Sequence, residues 1–377
     1  MEFTIKRTAF IKALNDVLRA ISSKTTIPIL TNVKIVANDD SLTLTGSNVD
    51  ISIETTLSTE SANTDLTIAQ PGAITLPAAY FSNIVKALPG EELHVKLDNL
   101  RAVITSGASS SFTINGQDAA NYPQLPELEG TERLLISASQ LADVIEQTII
   151  AASTQESRPV LTGVHLQISG QQVKAVATDS HRLAQRSVTL TGADGQVEAD
   201  IIVPAKALAE VGRMLEGQDR IGMQISANQV VFQLAETTFY SRLLEGNYPE
   251  TDRLLPNEST TILTIGAQDL LGTLGRAALV SHESRNNVVQ LTLTNGVAKL
   301  AVTSQEVGQF DENLVIQGIS GDDLEISFNP DYVRDALRVF SGDVDLKFTS
   351  NLRPFTITPA NSDSTDRLQL ITPVRTY

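Results

Sequence analysis

The sequence predicts an α+β protein made of three tandem, similar domains, each with two helices packed on an antiparallel sheet. The first observation is a repeated helical pattern, which begins after Ile5, Ile136 and Ile265 at spacings of 131 and 129 residues. The second is an alternation of apolar and polar residues between the helices, which is typical of half-buried strands. A pattern that recurs at one period indicates repeated structural units. The predicted domains are residues 1–128, 129–257 and 258–377.

A second helix is predicted in each domain, in a segment that begins with or near a proline. Pro77, Pro204 and Pro330 stand at spacings of 127 and 126 residues. Proline suits a first helical turn because its missing N–H has no helical partner there. Glycine closes each segment, where a left-handed cap is favourable. The six predicted helices are 6–21, 77–88, 137–153, 204–215, 266–282 and 329–340.

The remaining segments alternate apolar and polar residues with period two. Examples are LTLTGSNVDISIETTL in the first domain, IGMQISANQVVFQL in the second and VQLTLTNGVAKLAVT in the third. Antiparallel strands of this pattern bury one face and leave the other in solvent. Each domain is therefore expected to place its two helices over one face of its antiparallel strands.

Composition excludes several classes of protein. The 377 residues include no cysteine, so disulfides and thiolate metal sites are excluded. No apolar run is long enough to span a bilayer, and the N-terminus lacks the basic-then-apolar layout of a signal peptide. A cytoplasmic protein is therefore predicted. Motifs such as GxSxG, HExxH and the P-loop do not occur in the sequence, and neither a cofactor nor a metal site is predicted.

Charge is unevenly distributed along the chain. The net charge is −16, which by itself argues against binding a like-charged nucleic acid. The six predicted helices nevertheless carry +3 together, and the rest of the chain carries −19. A mildly basic helical surface that faces a phosphate backbone would explain this distribution, and ordinary solvated helix faces would explain it equally well.

The stretch ATDSHRLA contains the residue types of a serine hydrolase. Asp179, Ser180 and His181 are adjacent, however, and neighbouring residues of a strand point to opposite faces, so adjacency does not assemble a catalytic triad. The same place in the other domains has Asp50 and Glu306, which indicates that the acid caps a strand end or turn in all three domains. A hydrolase using Asp179, Ser180 and His181 remains the alternative function.

Several segments carry a family resemblance. ESRPVLTGVHL, ATDSHRLA, LEGNYPETDRLLP and TPVRTY resemble signature segments of the bacterial DNA polymerase III β subunit, the replication sliding clamp, and KTTIPILTNVKI is similar to its first-domain segment. The match spans the chain in order. It implies the DNA-clamp fold, in which two three-domain chains form a head-to-tail dimeric ring around duplex DNA. Such a ring tethers the replicative polymerase for processive synthesis and catalyses no reaction itself. A closed ring stays on DNA because it encircles the duplex, so weak, sequence-independent contacts to phosphates are sufficient. The net negative charge of the chain is therefore compatible with this function.

The resemblance also implies partners and a pocket between domains two and three. The partners would be a second copy of the chain, double-stranded DNA, the replicative polymerase catalytic subunit, the clamp loader, and repair and translesion polymerases. The proteins would bind through short apolar peptide motifs. The implied lining of the pocket is Leu161, Thr178, His181, Arg182, Leu183, Pro249, Arg253, Leu254, Asn329, Tyr332, Leu370, Pro373, Val374 and Arg375. Ser180 stands where the family commonly has glycine, and Thr376 and Tyr377 follow the last lining arginine.

Two further sets of residues follow from the same resemblance. The DNA-contacting candidates are Lys24, Lys86, Gln155, Arg158, Lys206 and Arg213. The candidates for an apolar dimer interface are Phe112 and Ile114 in the first domain, and Leu279 and Val280 in the third domain of the partner. Pro159 and Val160 replace aromatic residues that are common in the family, so no stacking contact to DNA is expected from that loop.

Overall fold

The structure is a computed structural model that describes residues 1–107, 110–125, 133–190, 197–284, 286–362 and 364–375. The α-helices in these ranges are α1 (Arg7–Leu18), α2 (Ala78–Ala87), α3 (Ala138–Thr148), α4 (Ala205–Met214), α5 (Ala267–Ser281) and α6 (Pro330–Arg338). All six predicted helices are confirmed, with ends that differ by one to five residues. The largest difference is at α3, because the chain continues past Thr148 as a 3₁₀ turn, Ile149–Ala151.

The strands occupy most of the remaining described chain. The first domain contains β1 (Glu2–Lys6), β2 (Asn32–Ala37), β3 (Ser41–Ser47), β4 (Ile51–Ser58), β5 (Thr67–Gln70), β6 (Gly72–Pro77), β7 (Glu92–Asp98), β8 (Arg101–Ser106) and β9 (Ser110–Asn115). The second contains β10 (Arg133–Ser137), β11 (Gly163–Ser169), β12 (Gln172–Thr178), β13 (Arg182–Thr189), β14 (Glu198–Pro204), β15 (Arg220–Ile225), β16 (Gln229–Leu234) and β17 (Thr237–Arg242). The third contains β18 (Thr261–Gly266), β19 (Val289–Thr294), β20 (Val297–Ser304), β21 (Gly308–Asn313), β22 (Gly318–Gly321), β23 (Leu324–Phe328), β24 (Asp343–Phe348), β25 (Phe355–Pro359) and β26 (Arg367–Ile371).

Each domain consists of two halves that share one order of elements, a strand, a helix and three antiparallel strands, and β5 and β22 are additional strands of the first and third domains. The first halves end at β4, β13 and β21, and the second halves end at β9, β17 and β26. The opening prolines are not all helical as predicted. Pro77 and Pro204 end strands and directly precede α2 and α4, whereas Pro330 is the first residue of α6. A proline without an N–H is accommodated at either place.

Sheet pairing crosses the predicted domain boundaries. The first compact unit contains chiefly residues 1–138 and 210–243, and its sheets have the orders β5-β1-β7-β8-β9 and β10-β15-β16-β17-β4-β3-β2-β6. The second contains chiefly residues 139–191 and 244–377, with the orders β14-β11-β12-β13-β26-β25-β24-β18-β22 and β21-β20-β19-β23. We call the β4–β17 pair the first junction and the β13–β26 pair the second junction. Strands of two domains therefore share one sheet at each junction.

Helix packing follows the predicted periodicity. In α1 the buried side chains are Phe10, Ala13, Leu14 and Val17, which lie on one face of a helix at spacings of three and four residues. Phe10 lies edge-on to Phe81 of α2, with ring centroids 5.7 Å apart. The predicted boundary between residues 128 and 129 falls in 126–132, outside the described residues. The boundary between residues 257 and 258 precedes β18, and both boundaries stay predictions.

Candidate functional site

The turn in ATDSHRLA is capped by its own aspartate. Asp179 Oδ1 accepts hydrogen bonds from the backbone N–H groups of His181 and Arg182, at 2.9 and 3.0 Å. Asp179 Oδ2 accepts from Arg182 Nε at 3.0 Å. The His181 ring stacks on Tyr332, with centroids 6.2 Å apart, and Ser180 Oγ accepts from Arg158 Nη1 at 3.2 Å. These partners are not those of a nucleophile, base and orienting acid. The predicted structural role of the acid is confirmed at Asp179.

The predicted alignment of Asp50 and Glu306 with Asp179 is wrong. In the first domain the turn is capped by Asn48, whose Oδ1 accepts from the N–H groups of Asp50 and Ile51 at 2.8 and 2.9 Å. In the third domain Ser304 Oγ accepts from the Glu306 N–H at 3.3 Å. The turn needs a short side chain with an acceptor oxygen rather than an acid, because the groups to be satisfied are backbone N–H donors.

Ser180 adopts a conformation that normally favours glycine. Its φ is +79°, in the left-handed region that side chains other than Asn and Asp rarely adopt. Its N–H donates to Thr178 Oγ1 at 3.2 Å, and its hydroxyl accepts from Arg158. Arg158 is thereby tied to the turn at the edge of the predicted pocket.

An apolar cluster lies on one face of β12, β13 and β26, where the sequence predicts the pocket. Leu183 and Leu370 are directly opposite each other across the second junction, and Val176 and Leu368 complete the cluster. All four are at most 3% exposed, and Leu255 packs against them. The sequence analysis missed Val176, Leu368 and Leu255. Strand parity signals the first two, because residues two apart in a strand share a face.

The cationic rim residue Arg182 is held in place by two carboxylates. Besides Asp179, Arg182 Nη1 donates to Asp335 at 2.8 Å, and its Cζ lies 4.8 Å from the centre of the Tyr332 ring. A guanidinium over an aromatic face is an attractive arrangement. Burial, followed by the negative charge of Asp179, raises the pKa of the Tyr332 hydroxyl. Two of the N–H groups of Arg182 are therefore bound by carboxylates, which fix the guanidinium beside Tyr332 and the turn.

The segment after β26 is hydrogen-bonded to the turn before β13 and to β23. The N–H of Thr372 donates to the carbonyl of His181 at 2.9 Å, and the N–H of Val374 donates to the carbonyl of Ser327 at 2.7 Å. Asn329 caps α6 by accepting from the Asp331 N–H at 2.9 Å. The structure thus brings together the predicted lining residues of β13, α6 and this segment. Leu161, another predicted lining residue, lies in the 3₁₀ turn Pro159–Thr162 and is 4% exposed.

The predicted lining residues of the segment 249–254 are exposed. Arg253 pairs with Glu250 at 2.9 Å, and Leu254 is 50% exposed. Asp252 pairs with Lys174 of β12, which ties this segment to the sheet that carries the apolar cluster. Pro249, Arg253 and Leu254 stay predictions as lining residues.

All six predicted DNA-contacting residues are exposed: Lys24, Lys86, Gln155, Arg158, Lys206 and Arg213. Arg213 pairs with Glu210, which also pairs with Arg19 at 3.3 Å. The charge of Arg213 is therefore partly offset within the protein. Exposure permits a contact to a phosphate and leaves each DNA-contacting role a prediction.

The predicted interface residues lie on the edge strand β9 and on helix α5. β9 and β21 each end a sheet in the described residues. Phe112 and Ile114 of β9 are opposite Ile104 and Ala102, which are buried, so both side chains extend the core face of that sheet beyond its helices. Phe112 is 41% exposed, and Leu279 on α5 is 75% exposed. The unpaired backbone N–H and C=O groups of an edge strand are a template for another strand. Val280 is half-buried and packs against the core of the third domain.

Three tandem domains that share sheets at two junctions, with an apolar cluster at the second junction, define the class of fold. No helix in the described part of the chain is long and apolar enough to cross a bilayer. Residues 1–126 match the family described as DNA polymerase III beta subunit, N-terminal domain, residues 135–250 match its central domain, and residues 252–375 match its C-terminal domain.

The relatives agree with these matches along the whole chain. The chain is 40% identical to the beta sliding clamps of Bacillus subtilis and Streptococcus pneumoniae, with all of each chain covered. It superposes with a TM-score of 0.96 on the S. pneumoniae DNA polymerase III beta chain at 41% identity, covering both chains in full. A sliding clamp of Pseudomonas aeruginosa bound to griselimycin gives 0.91 at 29% identity with the same coverage. The chain therefore belongs to the DNA polymerase III beta subunit family, the beta sliding clamps, which are processivity factors rather than enzymes. The predicted fold class and function are confirmed, and the hydrolase alternative has no support.

Proposed function

We propose that two copies of the chain close head to tail into a ring around duplex DNA, in the cytoplasm at the replication fork. The pairing rule at the two junctions carries this proposal. At each junction the last strand of a first half pairs with the last strand of the next domain's second half. The strands left over by this rule are β21 and β9. Two copies satisfy the rule everywhere if β21 of each chain pairs with β9 of the other, and such a heterologous contact closes into a ring when its rotation is right.

The junctions also predict the register of the intersubunit pair. Ile51 and Arg182, the first residues of β4 and β13, lie opposite Ser241 and Ile371. The same places in β21 and β9 are Gly308 and Ile114, so Ile114 is expected opposite the partner's Gly308. Two residues further along, Phe112 is then opposite the partner's Phe310. The predicted interface residues thus meet an aromatic side chain of the other subunit, and the two sheets join into one of nine strands.

Cysteine pairs test this register cleanly because the chain has no cysteine of its own. Thr113→Cys with Gln309→Cys is in register across the proposed pair, and opposite residues of a sheet have Cα separations suited to a disulfide. Thr113→Cys with Asp311→Cys keeps the same face but is two residues out of register. Oxidation should link subunits in the first variant and much more slowly in the second. Light scattering of the unlinked protein should give about 81 kDa, twice the chain mass of 40.5 kDa. A mass near 40.5 kDa at micromolar concentration would refute the ring.

Double-stranded DNA is the proposed partner inside the ring, held without sequence preference. The exposed basic residues and Gln155 support this, because contacts to phosphates position a protein without reading sequence. After a clamp loader has placed the protein on circular DNA, the protein should remain bound, and it should dissociate when the circle is cut. Equal retention on the circular and the linear DNA would contradict encirclement.

The apolar pocket is the proposed binding site for short apolar peptide motifs of partner proteins. These partners are the replicative polymerase catalytic subunit, the clamp loader, and repair and translesion polymerases. The four-residue apolar floor supports the proposal, since burying one Leu or Phe side chain contributes about 1.5–3 kcal/mol. Two anchors and a few backbone hydrogen bonds give about −8 kcal/mol, a micromolar complex that can exchange. Calorimetry with a synthetic peptide carrying Leu and Phe anchors tests it, and a polar-substituted peptide is the control.

A further inference from the structure

Two arginines face each other across the second junction, on the face of the sheet that meets α3. Arg186 of β13 lies directly opposite Arg367 of β26, at the end of a register of five residue pairs. Opposite residues of an antiparallel pair bring their side chains close together, and like charges at such a place are destabilising. The strand pair that joins the second and third domains therefore contains a source of repulsion.

One carboxylate offsets both charges. Arg186 Nε donates to Asp143 Oδ2 at 2.6 Å and Arg367 Nη2 donates to Asp143 Oδ1 at 2.5 Å, so each carboxylate oxygen accepts from one guanidinium. Arg186 Nη1 also donates to the carbonyls of Ser187 and Asp366, at 2.8 and 3.3 Å. Within the described ranges, Asp143 is the one carboxylate that pairs with either arginine. The three side chains are at most 28% exposed, so solvent ions screen the two positive charges only in part.

The helix that carries Asp143 is itself bonded to the third domain. Gln147 lies four residues further along α3, hence on the same face of that helix. Gln147 Nε2 donates to the carbonyl of Val339, directly after α6, at 2.7 Å. Gln369 Nε2 of β26 donates to the Gln147 carbonyl at 2.9 Å. These two bonds keep the Asp143 carboxylate beside β26, independently of the two arginines.

The first junction differs at all three places. The places of the arginines in β4 and β17 hold Thr55 and Thr237, which are opposite each other with their hydroxyl oxygens 2.9 Å apart. Asp143 is the sixth residue of α3, and the sixth residue of α1 is Lys12. The acid therefore occurs where the arginines occur, and a lysine takes its place where the strand pair is neutral. This difference indicates that the arginines are what require the acid.

We propose that Asp143 is a positioning residue for the peptide pocket. By offsetting the charges of Arg186 and Arg367, it keeps β26 paired with β13 at this end of the junction. Leu183 and Leu370 lie three residues from these arginines along the same two strands, and an odd separation places them on the opposite face, in the apolar cluster. A closed strand pair thus fixes the two leucines opposite each other. This last step rests on the proposed peptide-binding function, whereas the closure of the junction does not.

Amide hydrogen exchange tests the closure without any ligand. In Asp143→Ala, the amides of residues 367–371 should exchange at least about tenfold faster than in the wild-type chain, because the strand pair opens more often. Glu146→Ala removes an exposed acid from the same helix and should leave this exchange unchanged. Asp143→Asn removes the charge at nearly constant size and should act in the same direction, and it replaces Asp143→Ala if circular dichroism shows that variant to be unfolded. Exchange at the wild-type rate in a folded Asp143 variant overturns the proposal.

A variant without charge at the three places separates repulsion from a purely structural role. Asp143→Ala with Arg186→Thr and Arg367→Thr gives the second junction the threonine pair of the first. This variant lacks every side-chain hydrogen bond of the cluster. Its exchange should nevertheless return to within about twofold of the wild-type rate, because no like charges remain opposite each other. If the triple variant exchanges as fast as Asp143→Ala, the three residues act through their hydrogen bonds alone, and the proposed role of Asp143 is wrong.

Peptide affinity decides the positioning role. Calorimetry with the synthetic Leu- and Phe-bearing peptide should give a dissociation constant about three- to tenfold higher for Asp143→Ala, and within about twofold of the wild-type value for the triple variant. If the wild-type chain does not bind the peptide, the pocket proposal fails, and hydrogen exchange still decides the closure. If the peptide binds and Asp143→Ala exchanges faster without losing affinity, the positioning role is overturned.

Discussion

The first and second junctions have the same backbone arrangement and present different side chains. In both, an Asx side chain caps the turn before the strand, Asn48 in one and Asp179 in the other. In both, the strand of the next domain ends with an N–H donated to the turn, from Arg242 to the Asp50 carbonyl and from Thr372 to the His181 carbonyl, each at 2.9 Å. Backbone hydrogen bonds therefore explain why the strands join, but they do not explain why the two junctions differ in the side chains on their outer faces.

The outer face of the two junctions accounts for the difference. At the second junction Leu183 faces Leu370 within the apolar cluster. At the first junction the same places hold Ser52 and Tyr240, and the Ser52 hydroxyl lies 2.6 Å from that of Ser47. A face of hydroxyl groups is hydrated or satisfied internally and gives little on contact with an apolar peptide. The comparison shows that the repeat supplies the scaffold and that a few side chains on one face supply the site.

The largest effect is expected on the dimer dissociation constant, from a substitution in the proposed pair of edge strands β9 and β21. Phe112→Glu places a charge in the proposed intersubunit sheet, and burying an unpaired charge is strongly unfavourable, so the dimer dissociation constant should rise at least about 1,000-fold. Val49→Glu is the control, because Val49 is an exposed apolar residue at the first junction turn. Sedimentation or light scattering measures both. A dimeric Phe112→Glu protein would show that the third contact differs from the two junctions.

A transplant of side chains should remove the pocket without removing the junction. Leu183→Ser with Leu370→Tyr gives the second junction the outer face of the first. Peptide affinity should fall about 100-fold or more, since two apolar contacts of about 1.5–3 kcal/mol are lost and 1.4 kcal/mol is tenfold. The buried substitutions also destabilise the fold, by about 2–5 kcal/mol for Leu183. Urea unfolding must therefore confirm that the variant is folded during calorimetry. The matched variant Tyr240→Phe should leave peptide affinity unchanged within about twofold.

Sequence periodicity predicts the local elements of this fold and not their pairing. The spacing of Ile5, Ile136 and Ile265 gave the three repeats, and helical and alternating patterns gave all six helices and most strands. The partner of β4 is β17, about 180 residues further along the chain, and alternation carries no information on which strand lies beside another. For this reason the shared sheets of the two units were not foreseen.

Family resemblance predicts most of the site residues, and the sequence pattern alone predicts only some of them. Alternation places Val176 and Leu183 on strands, but it cannot show that Leu255 covers their outer face. Aligning the repeats by their acids predicts caps at Asp50 and Glu306, whereas the turn geometry requires only an acceptor oxygen, which Asn48 and Ser304 supply. Asp, Asn and Ser can all accept a hydrogen bond from a turn N–H, so residue type alone does not show which residue of the turn is the cap.

The two capping residues should be nearly interchangeable. Asp179→Asn reproduces the first junction and keeps the oxygen that accepts from the His181 and Arg182 N–H groups, but it replaces Oδ2, which accepts from Arg182 Nε, by an amide nitrogen that cannot accept. Arg182 keeps its hydrogen bond to Asp335, so the cost to the free energy of unfolding should be about 1 kcal/mol, the net contribution of one hydrogen bond. Asp179→Ala leaves both N–H groups unsatisfied and should cost about 1–3 kcal/mol. Urea unfolding midpoints distinguish the two, and equal losses would mean that the charge rather than the cap holds the turn.

The smallest expected effect concerns an ion pair whose charges are reversed between β13 and β21. Arg186 of β13 donates to Asp143 of α3 at 2.6 Å, and Glu312, at the same place in β21, accepts from Arg276 of α5 at 2.6 Å. The hydrogen bond from Arg276 holds the pKa of Glu312 below its ordinary value of 4.5.

A carboxylate whose pKa is lower in the folded than in the unfolded chain contributes stability that is present above pH 4.5, and this contribution is lost as pH falls through the lower folded value. Glu312→Gln should therefore make the fall in stability between about pH 5 and pH 3 shallower, by a small amount because the pair is partly exposed. Urea unfolding at pH 7, 5, 4 and 3 measures the slope for both proteins. If the free energy of unfolding falls with pH at the same slope in both proteins, the Glu312 carboxylate does not contribute to the pH dependence of stability.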